Sequence, residues 1–252
     1  MRPTLLWLLA VSWSIPAGAE TLVAARQLEA GTARENLDHG YEDWRSTYVE
    51  GAWEWAPRQV VYAQGRETER FGRTDREGLG GVYVPLSERF LALIEGSVSP
   101  THHVLPRWSL FGQVEAQIAR GLSLQLGARH TEYQQAGMNQ GVLGGEYYFG
   151  NFRFLYTYYW SRLEGADPTG AQRAGLSYYY DDRSHVGLGG SAGDEAESQA
   201  PGVVILSTVR SIGFSGRHWL TRHWGLSWEI ARTDVVDRYT RITLRAGVRY
   251  GF

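Results

Sequence analysis

There is no cysteine in the 252 residues. That excludes disulfides, a thiolate nucleophile and a lipid-anchored cysteine behind a leader. Behind the first nineteen residues no apolar run approaches the about 20 residues that a spanning helix needs. The mean hydropathy is -0.34, so by that measure the chain would pass for a water-soluble one. Methionine is scarce, at 2. Neither charge dominates: the formal net charge is -2 and nothing polybasic stands out. The balance gives no electrostatic case for a nucleic-acid partner.

What is abundant is aromatic and small: 10 Trp, 15 Tyr and 31 Gly. Aromatics favour strands, and glycine serves tight turns and crowded sheets. The first nineteen residues read as a secretory signal. Arg2 gives the positive start, Leu5 to Val11 the apolar segment, Pro16 the break, and Ala17-Gly18-Ala19 the small-residue cleavage site. The expected division is a signal over 1–19 and one domain over 20–252.

The remaining sequence alternates with a period of two. At the C-terminus Ile242, Leu244, Ala246, Val248, Tyr250 and Phe252 fall on one face, and Arg241, Thr243, Arg245, Gly247, Arg249 and Gly251 on the other. The same pattern sets Phe152, Phe154, Tyr156, Tyr158 and Trp160 against Arg153, Thr157 and Ser161. It sets Leu122, Leu124 and Leu126 against Ser123, Gln125 and Arg129, and Trp224, Leu226, Trp228 and Ile230 against Ser227 and Glu229. Too many strands carry large aromatics for one small core. An outward lipid-facing band with a polar interior accommodates them, and averaging over such strands hides the apolar half from hydropathy.

Breaks divide the chain into about fourteen segments of about ten residues, the span of a tilted membrane strand. The expected spans are 22–34, 44–55, 60–70, 76–84, 90–98, 107–118, 122–133, 139–149, 152–162, 171–180, 184–192, 203–219, 224–233 and 239–252. The fold class is therefore an all-β, antiparallel, up-and-down transmembrane β-barrel of about 14 strands, with 12–16 the range the pattern allows. Short breaks alternate with longer ones at 35–43, 99–106, 163–170 and 193–202, as periplasmic turns and outside loops would. Two segments fit poorly. Residues 60–70 are charged on both faces toward one end, and Arg210 shares parity with Ile212 and Phe214. A bulge within 207–211 would repair the second.

The chain resembles the YaiO family of outer-membrane β-barrel proteins. The resemblance is carried by Thr68-Glu69-Arg70-Phe71-Gly72, Tyr83-Val84-Pro85-Leu86, the stretch from Ser97 to Ser109 with its Pro100-Thr101-His102-His103, Tyr178 to Ser184, Gly216 to Leu220, and Arg245 to Phe252. It implies fold and a bacterial outer-membrane location, and transfers no functional residue. Some members look associated with surface polysaccharide, and some carry helical repeats ahead of the barrel. Here the signal runs almost directly into the first strand, so no periplasmic scaffold domain is expected.

The inward parity would line a lumen with Glu50, Glu54, Glu95, Glu115, Glu146 and Glu229 and with Arg129, Arg153, Arg173, Arg241, Arg245 and Arg249. These charges are either a salt-bridge network that stiffens the barrel or the wall of a water-filled passage selecting anionic or sugar-like solutes. Glu29 on the first strand and Glu229 are expected to meet the arginine row of the last. Trp53, Trp55, Phe90, Trp219, Trp224 and Tyr250 lie near short turns and would form the periplasmic aromatic belt. Val248, Tyr250 and Phe252 form the expected insertion signal, read by the barrel-assembly machinery.

Catalytic readings are thin. Ser99 with His102 and Glu95, or Asp38 with His39, or Asp181-Asp182, could be arranged on paper, but no local signature supports them. Adjacent His102 and His103 point apart and suit no metal. The sequence thus reads as a non-enzymatic barrel without cofactor or metal, a passive channel or accessory conduit linked to polysaccharide export. A lipid or glycan hydrolase, or a plugged structural or adhesive barrel, is the alternative. Its expected partners are outer-membrane lipid, lipopolysaccharide and envelope polysaccharide.

Overall fold

The computed structural model describes residues 26–200 and 203–252. The expected signal over 1–19, and the start of the first expected strand, lie outside the described residues. Fourteen strands follow one another: β1 (Arg26–Leu37), β2 (Trp44–Ala56), β3 (Gln59–Arg70), β4 (Arg73–Pro85), β5 (Phe90–Val98), β6 (Trp108–Ala119) and β7 (Leu122–Glu132), then β8 (Gly137–Phe149), β9 (Phe152–Leu163), β10 (Thr169–Tyr179), β11 (His185–Ala200), β12 (Val203–Trp219), β13 (Trp224–Val235) and β14 (Tyr239–Gly251). Each pairs antiparallel with the next, and β14 returns to β1 to close the barrel. The count falls in the middle of the range that the alternation allows. Closure satisfies the backbone groups that an open edge would leave bare, at several kcal/mol each in lipid.

Parity decides which side chain faces where. Val248 is 48% exposed while its neighbour Arg249 is 4% exposed. The same contrast separates outward Ile94 and Leu126 from inward Leu93 and Gln125. At the end where the described chain starts and finishes, outward aromatics form a girdle. Tyr147, Phe149, Phe152 and Tyr178 follow ring to ring at 5.1–5.5 Å across the ends of β8, β9 and β10. Trp224, Tyr250 and Phe252 continue it at 4.9 and 5.1 Å. Amphipathic rings at that height suit a membrane–water boundary. Trp53, Trp55 and Phe90 are also exposed outward. Trp219 is a correction: it lies on inward parity, its ring against the inner-face glycines Gly225 and Gly251 and beneath the Arg183 guanidinium at 4.3 Å.

Several glycines exist to receive those rings. Tyr62 stands opposite Gly81 across β3–β4, and a Cβ on Gly81 would run into the Tyr62 ring. Tyr48 lies the same way over Gly31 of β1, and outward Trp228 over Gly216 of β12. The missing Cβ lets an aromatic lie flat on the wall and cover the bare backbone.

Four details differ from the sequence reading. β1 runs through Leu37, and β4 starts at Arg73 after a tight turn in which Phe71 and Gly72 take φ of 53° and 67°. Residues 193–202, expected as a loop for their Gly, Asp and Glu, are mostly strand: β11 continues to Ala200. The strand-forming run Val203-Val204-Ile205-Leu206 on β12 pairs back on them, so the partner's propensity overrides the local one. No bulge occurs near Arg210; the one shift in this pairing lies between Ser198 and Ala200. Arg210 stays outward and exposed, opposite Asp234 near the loop end of β13. The charges on β3 resolve likewise, with outward Glu67 bridged to Arg76 at 2.8 Å at the loop end. That end stands clear of the apolar band, where charge is cheap to keep.

Turn chemistry at the other end is simple. Asp181 accepts the Arg183 and Ser184 amides at 2.8 and 2.6 Å. Burial works to raise its pKa, but these hydrogen bonds prevail and hold the carboxyl below the usual aspartate range.

The glycine–tyrosine pairing has a direct consequence. Gly81→Val should drive the Tyr62 ring off the wall and lower the temperature at which the barrel loses its heat-modifiable gel mobility, whereas Gly65→Ala, with open space around it, should not. Equal thermal behaviour of the two variants would refute the pairing as a structural requirement.

Candidate functional site: the barrel interior

The interior is built from the inward parity of all fourteen strands, and it is lopsided. On the β1–β14 seam, Glu29 is a hub. It pairs with Arg249, lies 4.0 Å from Arg245, and accepts hydrogen bonds from Tyr48 at 2.5 Å and Ser227 at 2.7 Å. Arg245 in turn donates to the Tyr48 oxygen at 3.1 Å and lies over that ring, while Arg249 donates to Gln27 at 3.0 Å. Glu50 faces Glu29 directly across β1–β2 and accepts a hydrogen bond from Gln64 at 3.0 Å.

A second cluster lies at the loop end, on the β12–β3 side of the wall. Trp44, 1% exposed, lies between the guanidinium groups of Arg70 and Arg241 at 4.4 and 5.2 Å. Both arginines reach Glu35, at 3.9 and 3.1 Å. Tyr239, Val209 and Val235 pack with Trp44, and Phe71 meets it edge-on at 5.3 Å. The third network spans β3 to β7: Glu95 accepts Tyr62 at 2.5 Å and Arg129 at 2.8 Å, and Arg129 lies over Phe111. The fourth lies toward the terminal end, where Arg153 grips Glu146 with two hydrogen bonds of 2.9 Å and Gln125 bridges Glu146 to Glu115.

The sequence-derived lumen residues thus fall into separate groups. Arg241, Arg245 and Arg249 share the β14 wall but answer to Glu35 and Glu29; Glu229 is the register neighbour of Arg245 on β13. Glu54 sits at the turn and accepts the Arg58 amide at 3.0 Å. Arg173 lies on β10 between Thr157 and Ser191, away from every glutamate of the set. Sequence reasoning missed Trp44, Glu35, Arg70, Tyr48 and Tyr62. All are on inward parity, so alternation could have nominated them, but only register brings them to their partners.

The interior is not uniformly polar, which corrects the expected polar face. Val60, Tyr62, Tyr83, Leu91, Leu93, Phe111 and Val142 form an apolar cluster on the β3–β8 side and are buried there. The middle of the opposite wall is small and polar, between Val209 and Val235 at the loop end and Tyr179, His185 and Trp219 at the other. Ser177, Ser191, Ser211, Ser215 and Ser227 of β10–β13 point inward and remain half-exposed. Bulky side chains therefore crowd one side of the barrel, and small, half-exposed ones line the middle of the other.

The loop over residues 99–107 is folded down at the loop end. Asp75 of β4, 0% exposed, accepts the Val104 and Leu105 amides at 2.6 and 2.9 Å and lies 2.8 Å from His103 Nδ1. The paper triad does not assemble: Ser99 Oγ donates to the Arg76 carbonyl, His102 Nδ1 lies 3.0 Å from the Ser99 carbonyl, and Glu95 serves Tyr62 and Arg129. His102 and His103 have separate partners.

A closed antiparallel barrel with an apolar exterior, an aromatic girdle and a charged interior is a bacterial outer-membrane β-barrel of porin-like type. The YaiO membrane beta barrel domain matches residues 25–198, and the chain belongs to that family. No curated protein matches it by sequence. Among solved structures it is similar to the CymD monoaromatic hydrocarbon channel, with a TM-score of 0.62 and 9% identity over 95% of this chain and 91% of that one. It is similar to a bacterial polysaccharide outer membrane secretin, with a TM-score of 0.58 and 11% identity over 91% and 99%. The outer membrane protein Omp33 of Acinetobacter baumannii aligns with a TM-score of 0.54 and 10% identity over 91% and 100%. At such identities the likeness is one of architecture.

The Glu29 hub gives a sharp expectation. Glu29→Ala takes the paired carboxylate from Arg249 and leaves Arg245 only Glu229, and should cost about 3–5 kcal/mol of folding stability, as loss of one partner of a buried pair does. Glu54→Ala, at the turn, should cost under about 1 kcal/mol, the scale of a lost hydrogen bond that water can replace. Urea titrations in lipid micelles measure both, and equal midpoints would contradict the hub.

Proposed function

We propose that the barrel is a passive conduit for polar, sugar-like solutes across the outer membrane, serving passage of surface polysaccharide. The observation that carries this reading is the middle of the β10–β13 inner face, where Arg173, Ser177, Ser191, Ser211, Ser215 and Ser227 stay half-exposed. Across the barrel the apolar Val60, Tyr62, Tyr83, Leu91 and Leu93 of β3–β5 are buried against one another. A serine-rich face offers hydroxyl donors and acceptors to hydroxylated solutes without holding them tightly, which passage requires.

Purified protein in planar bilayers should give discrete conductance steps, and liposomes carrying it should swell in small saccharides. Absence of both would favour the plugged structural barrel. Hydrolysis of lipid or glycan by the same preparation would favour the enzyme reading.

Assembly is proposed to begin at β14. Val248, Tyr250 and Phe252 share its outward face, and the Phe252 amide is tied to the Arg26 carbonyl at 3.1 Å. Deleting Phe252 should reduce the amount of protein in outer-membrane fractions several-fold, with degradation or periplasmic accumulation. Unchanged membrane levels would exclude its use as an insertion signal by the assembly machinery.

A further inference from the structure

Inward arginines in this barrel are compensated. Arg66 pairs with Glu77, Arg70 and Arg241 with Glu35, Arg129 with Glu95, Arg153 with Glu146, and Arg245 and Arg249 with Glu29. Arg73 and Arg217 also have partners. Among the described residues, Arg173 is the one inward arginine with no ion pair, hydrogen bond or ring contact. Its cross-strand neighbours are Thr157 on β9 and Ser191 on β11, and its inward neighbours along β10 are Ala171 and Gly175. None carries charge. Arg173 is only half-buried, on the wall where the inward serines are half-exposed.

We propose that Arg173 is the anion-recognition residue of the passage, engaging carboxylate or phosphate groups on solutes that move along the β10–β13 wall. This rests on the reading of that wall as an open conduit. A guanidinium cannot lose its proton at physiological pH, so its charge must be met by water or by a mobile anion. Its planar fork suits carboxylate and phosphate, and its small neighbours leave room for the group to approach. The paired arginines elsewhere are already occupied by glutamates, so they stiffen the wall and add little net attraction for a solute. Arg173 therefore sets the sign of the potential beside Ser191.

Because the chain has no cysteine, Ser191→Cys provides a unique reporter directly across from Arg173. The measurement is the ratio of its reaction rates with an anionic and a cationic methanethiosulfonate reagent, in proteoliposomes of the full barrel. A unit charge about 5 Å away in water changes each rate a few-fold in opposite directions. The ratio should fall about three- to tenfold when Arg173→Gln is added, and Arg173→Lys should keep it high. Heat-modifiable mobility verifies folding of each variant. In bilayers the unsubstituted channel should prefer anions in chloride, glucuronate and phosphate gradients, and Arg173→Gln should lose that preference. A ratio and a preference that survive Arg173→Gln overturn the proposal while leaving the conduit intact. If the thiol of the Ser191→Cys variant reacts with neither reagent in a folded barrel, the open wall itself is overturned and the proposal with it.

Discussion

Everything in this protein depends on one constraint: in lipid, a peptide group without a hydrogen-bond partner is not tolerated. A sheet meets that constraint only by closing. Once β1 is hydrogen-bonded to β14, the register of Gln27 with Gly251 and of Leu37 with Arg241 is set, and with it the placement of Glu29 opposite Arg249. The ion-paired hub at the seam is thus a product of closure. It also reinforces closure, since slipping the seam by one residue would turn Glu29 toward lipid and Leu28 inward.

Filling the interior is a second problem, and the chain solves it unevenly. Bulky side chains on β3–β8 and the Trp44 cluster occupy one side and the loop end, packed over glycines that leave space for their rings. Serines and glycines on β10–β13 keep the other side low. Salt bridges at the boundaries neutralise most of the inward charge, which would be costly in an enclosed space unless paired. On the middle of the β10–β13 wall, among the described residues, Arg173 is the guanidinium without a side-chain partner, beside a row of hydroxyls. The proposed passage would have its chemistry set by these few residues.

The loop end is where local preference and tertiary pairing diverge. Residues 193–200 have the composition of a loop but form strand because Val203–Leu206 pair with them. Charges that look misplaced on β3 and β12 lie above the apolar band, beside partners such as Arg76 and Asp234. Conversely, residues 99–107 do form a loop, yet Asp75 holds it down through backbone amides that no sequence pattern announces.

The sequence by itself determined the architecture. Side-chain parity is fixed by strand geometry, so alternation of Val248, Tyr250 and Phe252 with Arg245 and Arg249 states which face meets lipid, and repetition of that pattern states that the sheet must close. It also nominated Glu95, Glu146, Arg153 and the β14 arginines as inward. What it could not state is who meets whom. Contacts such as Tyr62 with Glu95, Arg241 with Trp44, or Glu29 with Ser227 join strands that are not adjacent in sequence, and they depend on register and curvature summed around the barrel. Only the tertiary structure decided that one wall packs bulky side chains together while the middle of the other carries small ones, because that difference arises from the sizes of side chains brought together by closure, not from the parity that each strand carries on its own.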